Sequence, residues 1–146
     1  MKKVYHKIID FIFYNESKIK NAVAEYRIDT HHYRELKNGS GISDPTARDA
    51  IKHLDPINQI TVCGRLVKFP EKWLAVIEKT YNWCKRQSDT HFQAVYHFYN
   101  DKKGSGYYYT VSRQLSTSVK TFYNLVDRAK MYAALQAVQY RLIHLD

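Results

Sequence analysis

Residues 112–130 read SRQLSTSVKTFYNLVDRAK, and this stretch constrains the fold more than any other. A hydroxyl-rich break, Ser116-Thr117-Ser118, separates Val111 and Leu115 from a run in which Phe122, Leu125, Val126 and Ala129 recur at helical spacing. Ser118 suits the cap of a new helix, because its hydroxyl can accept from one of the free N–H groups at a helix start. The spacing i, i+3, i+4, i+7 then gives that helix one buried stripe. The pattern predicts a short helix over about 108–115, a tight turn, and a second helix beginning after Ser118.

At about 100° per residue, the face opposite the stripe carries Lys120, Asn124 and Asp127, with Tyr123 beside them. Two core helices joined by a turn satisfy this spacing, and so does a DNA-reading helix-turn-helix. In the second case the exposed first turns of the second helix meet base edges. Asn124 can pair bidentately with adenine, and Lys120 can reach guanine or a phosphate. Arg113, Ser116 and Thr117 stand where backbone contacts would be made, Lys102 and Lys103 add attraction just upstream, and Ser118 and Arg128, at the two ends of the exposed segment, complete the candidate DNA-binding set. Asp127 repels phosphate unless it accepts from cytosine or pairs with Lys130.

Charge leans the same way. The chain has 146 residues and a formal net charge of +9, a balance that suits an anionic partner. The charge is spread evenly, with no basic tail, so any electrostatic footprint has to be assembled by folding.

After Ala129 the pattern continues as KMYAALQAVQYRLIHL, without Gly or Pro. The helix is expected to run to about Leu145. A second stripe, Met131, Leu135, Val138, Leu142 and Leu145, has heptad-like spacing on the side opposite Phe122. A helix apolar on two sides has to be sandwiched, either against residues 2–29 or against a second copy of the chain. The stripe is therefore a candidate homodimer interface.

Upstream, Tyr5, Ile8, Ile9 and Ile12, then Ile19, Val23 and Tyr26, predict helices over about 2–14 and 16–29. Asn38-Gly-Ser-Gly41 is a loop, and Asp44-Pro45 starts a helix that Asp55-Pro56 ends. Ile60, Val62, Leu66, Val67 and Phe69 around Cys63-Gly64-Arg65 predict a short β-hairpin. Pro70 opens a helix that buries Trp73, Ile77, Tyr81 and Cys84, and another follows over about 90–100 with Phe92, Val95, Phe98 and Tyr99 inward. The expected fold is mainly α: an N-terminal helical region (1–55), a β-hairpin with connecting helices (56–100), and a helix-turn-helix with a long second helix (101–146), packed as one compact unit.

The ordered segments SDPTARDAI (43–51), ITVCGRLVKFPEKWLAVIEKTYNWC (60–84), FYN (98–100) and TVSRQLSTSVKTFYNLVDRA (110–129) resemble phage and prophage late-transcription regulators of the RinA/ArpU type. The resemblance spans roughly 25–140. It implies a DNA-binding protein of the host bacterial cytoplasm with a helix-turn-helix similar to the fourth region of bacterial sigma factors, activating late genes. The implied recognition segment is Ser118 to Arg128, and RNA polymerase is a possible further partner. The GSGYYY stretch (104–109) departs from that pattern and leaves the start of the first helix open.

Other chemistry finds little footing. The histidines are scattered without metal-ligand spacing. No phosphate-cradling glycine motif is present, and no paired carboxylates stand out. Neither an enzyme nor a cofactor is expected. Cys63 and Cys84 lie outside any CxxC and suit a reducing compartment. The start reads as an amphipathic helix, and no stretch has the apolar length to span a bilayer. Two other readings keep the same motif: a DNA-packaging adaptor like a small terminase subunit, and a protein-only module that binds polymerase or a sigma factor.

Overall fold

A computed structural model describes residues 2–38, 56–101 and 106–144, with side chains over 4–29, 56–101 and 106–144. The chain is mainly helical, with a short two-stranded hairpin among the described residues, as the spacing predicts. The elements run α1 (Lys2–Tyr14), α2 (Glu16–Asn38), β1 (Gln59–Val62), β2 (Arg65–Lys68), α3 (Pro70–Gln87), α4 (Asp89–Asn100), α5 (Tyr107–Gln114) and α6 (Val119–Gln139). The expected 38–41 loop, apart from Asn38 itself, and the 44–54 helix lie outside the described residues, as do Lys102, Lys103 and Leu145. No helix among the described residues is long and apolar enough to cross a membrane.

The chain divides into two compact units, residues 17–71 and residues 1–16 with 72–146. In the first, α2 runs further than the expected end near 29. Its sequence holds no Gly or Pro to stop it before Gly39. The antiparallel hairpin pairs Gln59 with Lys68 and Val62 with Arg65. Its loop is therefore Cys63-Gly64, with Arg65 already in the strand. Both loop residues have positive φ, 51° and 73°, the two-residue turn whose twist suits a hairpin. Ile60, Val62 and Val67 are buried. Glu71 pairs with Arg27 at 2.5 Å and also accepts from the Ile57 N–H.

The second unit is an all-helical body. Ile9, Ile12 and Phe13 of α1 are buried, as are Val76, Ile77, Thr80 and Cys84 of α3. From α4 come Ala94, Val95, Phe98 and Tyr99, and from α6 Phe122, Val126, Ala129, Ala133 and Ala137. The many tyrosines mostly serve packing. Phe122 lies 5.8 Å from Tyr108 and 6.4 Å from Phe98 between ring centroids, and Phe13 lies 5.0 Å from Tyr99. Such tilted pairs suit the ring quadrupoles.

Single residues set the helix boundaries. Ser88 separates α3 from α4 and caps the latter, its Oγ accepting from the His91 N–H at 3.0 Å. The far end of α6 differs from expectation. The helix stops at Gln139 instead of running to about Leu145. Arg141 turns left-handed at φ 60°, the Leu142 N–H reaches Ala137 O at 2.8 Å, and the Arg141 N–H reaches Val138 O at 2.9 Å. These are the paired bonds of a Schellman stop. Its left-handed residue is an arginine, so no glycine marks the end in the sequence.

Candidate nucleic-acid interface

α5 and α6 form the two arms of the predicted motif, and α4 packs against both. The first arm ends as α6 does. Ser116 is left-handed at φ 56°, the Thr117 N–H bonds to Ser112 O at 2.9 Å, and the Ser116 N–H bonds to Arg113 O at 3.1 Å. This second Schellman turn reverses the chain within Leu115–Ser118. Ser118 then caps α6. Its Oγ accepts from the Thr121 N–H at 3.1 Å and donates to the Thr121 Oγ1 at 2.9 Å.

The two sides of α6 fall where the periodicity puts them. Phe122, Val126 and Ala129 are buried and Leu125 is half-buried. Lys120, Tyr123, Asn124, Asp127 and Arg128 are exposed. From Lys120 to Asp127 the outward face covers roughly 10 Å of helix. Arg113 and Ser116 are exposed at the turn, whereas the Thr117 Oγ1 is buried without a hydrogen-bond partner. The Thr117 hydroxyl is therefore off the exposed surface of the turn. Asp127 does not take Lys130 as its partner. Lys130 reaches across to Asp10 instead, 3.1 Å from Oδ1.

Three features of this region lie beyond the sequence reading. His91 is buried on α4, and its ring Nε2 lies 2.9 Å from Leu125 O in the middle of α6. The neutral Nε2–H tautomer donates there, in addition to any helical bond that carbonyl accepts. Burial lowers the His91 pKa, the hydrogen bond to Leu125 opposes that, and the Arg128 charge lowers it further. The ring also meets Trp83 edge-on at 5.2 Å, and Trp83 stacks on Tyr132 at 4.6 Å. α6 is therefore held from α3 and α4 just behind its outward face. Second, Tyr109 on α5 is 65% exposed, a phenol available at the surface of the first arm. No spacing rule distinguishes it from its packed neighbour Tyr108. Third, among the described residues nothing covers the start of the Met131 stripe: Met131 is 53% and Leu135 55% exposed, and Val138 is half-buried. Leu142 lies beyond the end of the helix.

The arrangement offers a capped, rigidly backed helix with mixed polar side chains outward and cations at Arg113, Lys120 and Arg128. It can present hydrogen-bond donors and acceptors to a polyanion. No protein-family model, curated protein or solved structure matches the chain.

Proposed function

We propose that the chain is a sequence-specific DNA-binding regulator of transcription that places the start of α6 in the major groove. One observation carries this reading. A Ser118-capped helix follows a tight turn with Lys120, Tyr123, Asn124, Asp127 and Arg128 all outward, while its other side is core. A net charge of +9 supports it. In this reading Asn124 and Lys120 read bases. Arg113, Ser116, the Ser118 turn and Arg128 meet the backbone, with Lys102 and Lys103 upstream. The resemblance to RinA/ArpU-type regulators makes activation of phage late genes in the host bacterial cytoplasm the specific form of the proposal. RNA polymerase and a second copy of the chain are the protein partners such a role would engage.

The test is a binding titration against a randomised duplex pool with selection, repeated from 50 to about 200 mM salt. A selected motif, and an affinity that falls steeply with salt, support the reading. Weak, salt-insensitive binding to every duplex would remove it.

A further inference from the structure

α3 lies along one flank of α6, and the seam between them carries cations that the helix-turn-helix does not include. Trp83 of α3 stacks on Tyr132 of α6 at 4.6 Å, and Lys79 sits 4.9 Å over the Tyr140 ring. Later residues of α3 thus meet earlier residues of α6, so the two helices run antiparallel here. Arg86, about one turn after Trp83, comes level with Arg128, about one turn before Tyr132. His91 belongs to the same place. Its ring meets Trp83 at 5.2 Å, its Nε2 lies 2.9 Å from Leu125 O, and the Arg128 charge is near enough to lower its pKa. At about 100° per residue, Lys79 and Arg86 fall roughly 40–60° outward of Trp83, and Arg128 roughly 40° outward of Tyr132. All three are exposed, so they share the open side of the seam. No acid of α3 or α6 falls between them. Glu78 and Asp127 each stand about 100° round their helices, from Lys79 and Arg128 respectively. Asp89 occupies the first turn of α4, where the helix dipole favours it. Neither Arg86 nor Arg128 makes an ion pair with a described residue. Lys85, next to Arg86, is engaged elsewhere, 4.7 Å over the Phe92 ring.

We infer that Lys79, Arg86 and Arg128 form a row of phosphate contacts that grips the duplex backbone along one wall of the groove entered by α6. The inference rests on the DNA reading and extends it to α3. Position selects a duplex as the occupant. Arg128 lies about 40° round α6 from Asn124, so the row begins where the base-reading side chains end. From Arg86 to Lys79 it continues for roughly 10 Å along α3, a line of separate charges and not a pocket converging on a single anion. Like charges set side by side without a counter-ion repel. A polyanion removes that repulsion and releases its own counterions as it binds. The rings beneath the row are already in use, Trp83 and Tyr132 on each other. Backbone phosphate, and not a stacked base, is therefore the group that the row recognises.

The probe is the duplex selected from the randomised pool, extended by about 10 base pairs on each side. Lys79→Gln with Arg86→Gln should lower the salt slope by about 2 and weaken binding at least tenfold at low salt, with the selected motif unchanged. Lys79→Arg with Arg86→Lys keeps both charges and should keep the parental slope. Lys7→Gln with Lys68→Gln removes the same net charge from α1 and β2, and should leave affinity within twofold. Phosphate ethylation should interfere with the parent on one strand beside the motif, and that interference should vanish in the Lys79 and Arg86 double variant. Arg86 also lies in the last turn of α3, where a cation suits the helix dipole. That role alone would lower the melting temperature and leave the salt slope unchanged. A parental slope and ethylation pattern in the double variant overturn the inference and leave the reading of α6 standing. An equal loss in the Lys7 and Lys68 control also overturns it. So does a double variant that loses binding to phosphatidylserine vesicles while its duplex binding stays intact, which would give the row to a membrane surface. A parent that selects no duplex removes both the inference and the DNA reading.

Discussion

Lys130 on α6 and Asp10 on α1 form an ion pair across 120 residues of sequence, with the ammonium 3.1 Å from one carboxylate oxygen and 4.9 Å above the Phe98 ring. Tyr99 donates to the same carboxylate at 2.7 Å. One acid therefore gathers α1, α4 and α6. The Lys130 side chain is 10% exposed and that of Asp10 is 30% exposed, so the pair is shielded but not dry. Asp10→Ala would strand the ammonium and the Tyr99 hydroxyl together, at a cost of about 2–3 kcal/mol in urea unfolding. Lys130→Met keeps the packing and leaves Asp10 its water and Tyr99, so it should cost less. The double variant should recover part of the loss, and simple additivity would show that the two groups are not coupled.

The two left-handed helix stops make a prediction of opposite sign. Ser116 and Arg141 occupy a conformation that disfavours a Cβ. Ser116→Gly should raise thermal stability by up to about 1 kcal/mol, the relief of strain exceeding the added entropy of the unfolded chain. Ser116→Val should lower it by at least as much. If both variants melt like the parent, the turn is not held as described.

His91 provides a pH dependence. Its pKa lies below the usual value because burial disfavours the imidazolium, with the Arg128 charge acting in the same direction. In the unfolded chain the ring titrates near its ordinary value of about 6.5. Below that pH the unfolded state binds the proton and the native state resists it. Stability is therefore lost as pH falls from about 6.5 toward the folded pKa, and the loss levels off below it. Melting temperature should drop between pH 7.5 and 5. His91→Gln keeps an N–H donor for Leu125 O but does not titrate, so it should flatten that part of the profile.

The two thiols should differ in reactivity. Cys63 is exposed at the hairpin turn, with the Lys18 ammonium 3.2 Å from its sulfur. Cys84 is buried, and burial pushes its pKa up to about 12. A disulfide reagent at pH 8 should titrate one thiol in the native chain and two in guanidinium. Fast reaction of both would contradict the burial of Cys84.

For the proposed interface, Arg113→Ala should weaken binding to all duplexes about equally and reduce the salt slope by about 1. Asn124→Ala should reduce discrimination between duplexes by about 1–3 kcal/mol, with a smaller effect on nonspecific affinity. An Asn124→Ala variant with unchanged affinity and discrimination would mean that another face of α6 meets DNA.

Most of the helices were legible because their signals are local. The break at 116–118 combines a helix stop with a Ser cap, and Phe122, Val126 and Ala129 mark the buried side of α6 without reference to anything distant. The hairpin turn was legible to within one residue, because Cys63-Gly64 and Cys63-Gly64-Arg65 differ only in register. The illegible parts involve residues that break a local rule or depend on a distant partner. Arg141 ends α6 in a conformation that sequence patterns assign to glycine. The Met131 stripe has a seam-like spacing, but its cover could not be read from spacing.

Periodicity and capping chemistry alone therefore determined that the chain is mainly helical and which side of α6 would be buried, since side-chain direction repeats with the helix itself. Tertiary structure alone decided that His91 secures Leu125 from 34 residues away, that Lys130 turns to Asp10 and not to Asp127, and that Met131 and Leu135 remain uncovered. Each of these depends on which other helices pack around α6, and no window of consecutive residues contains that information.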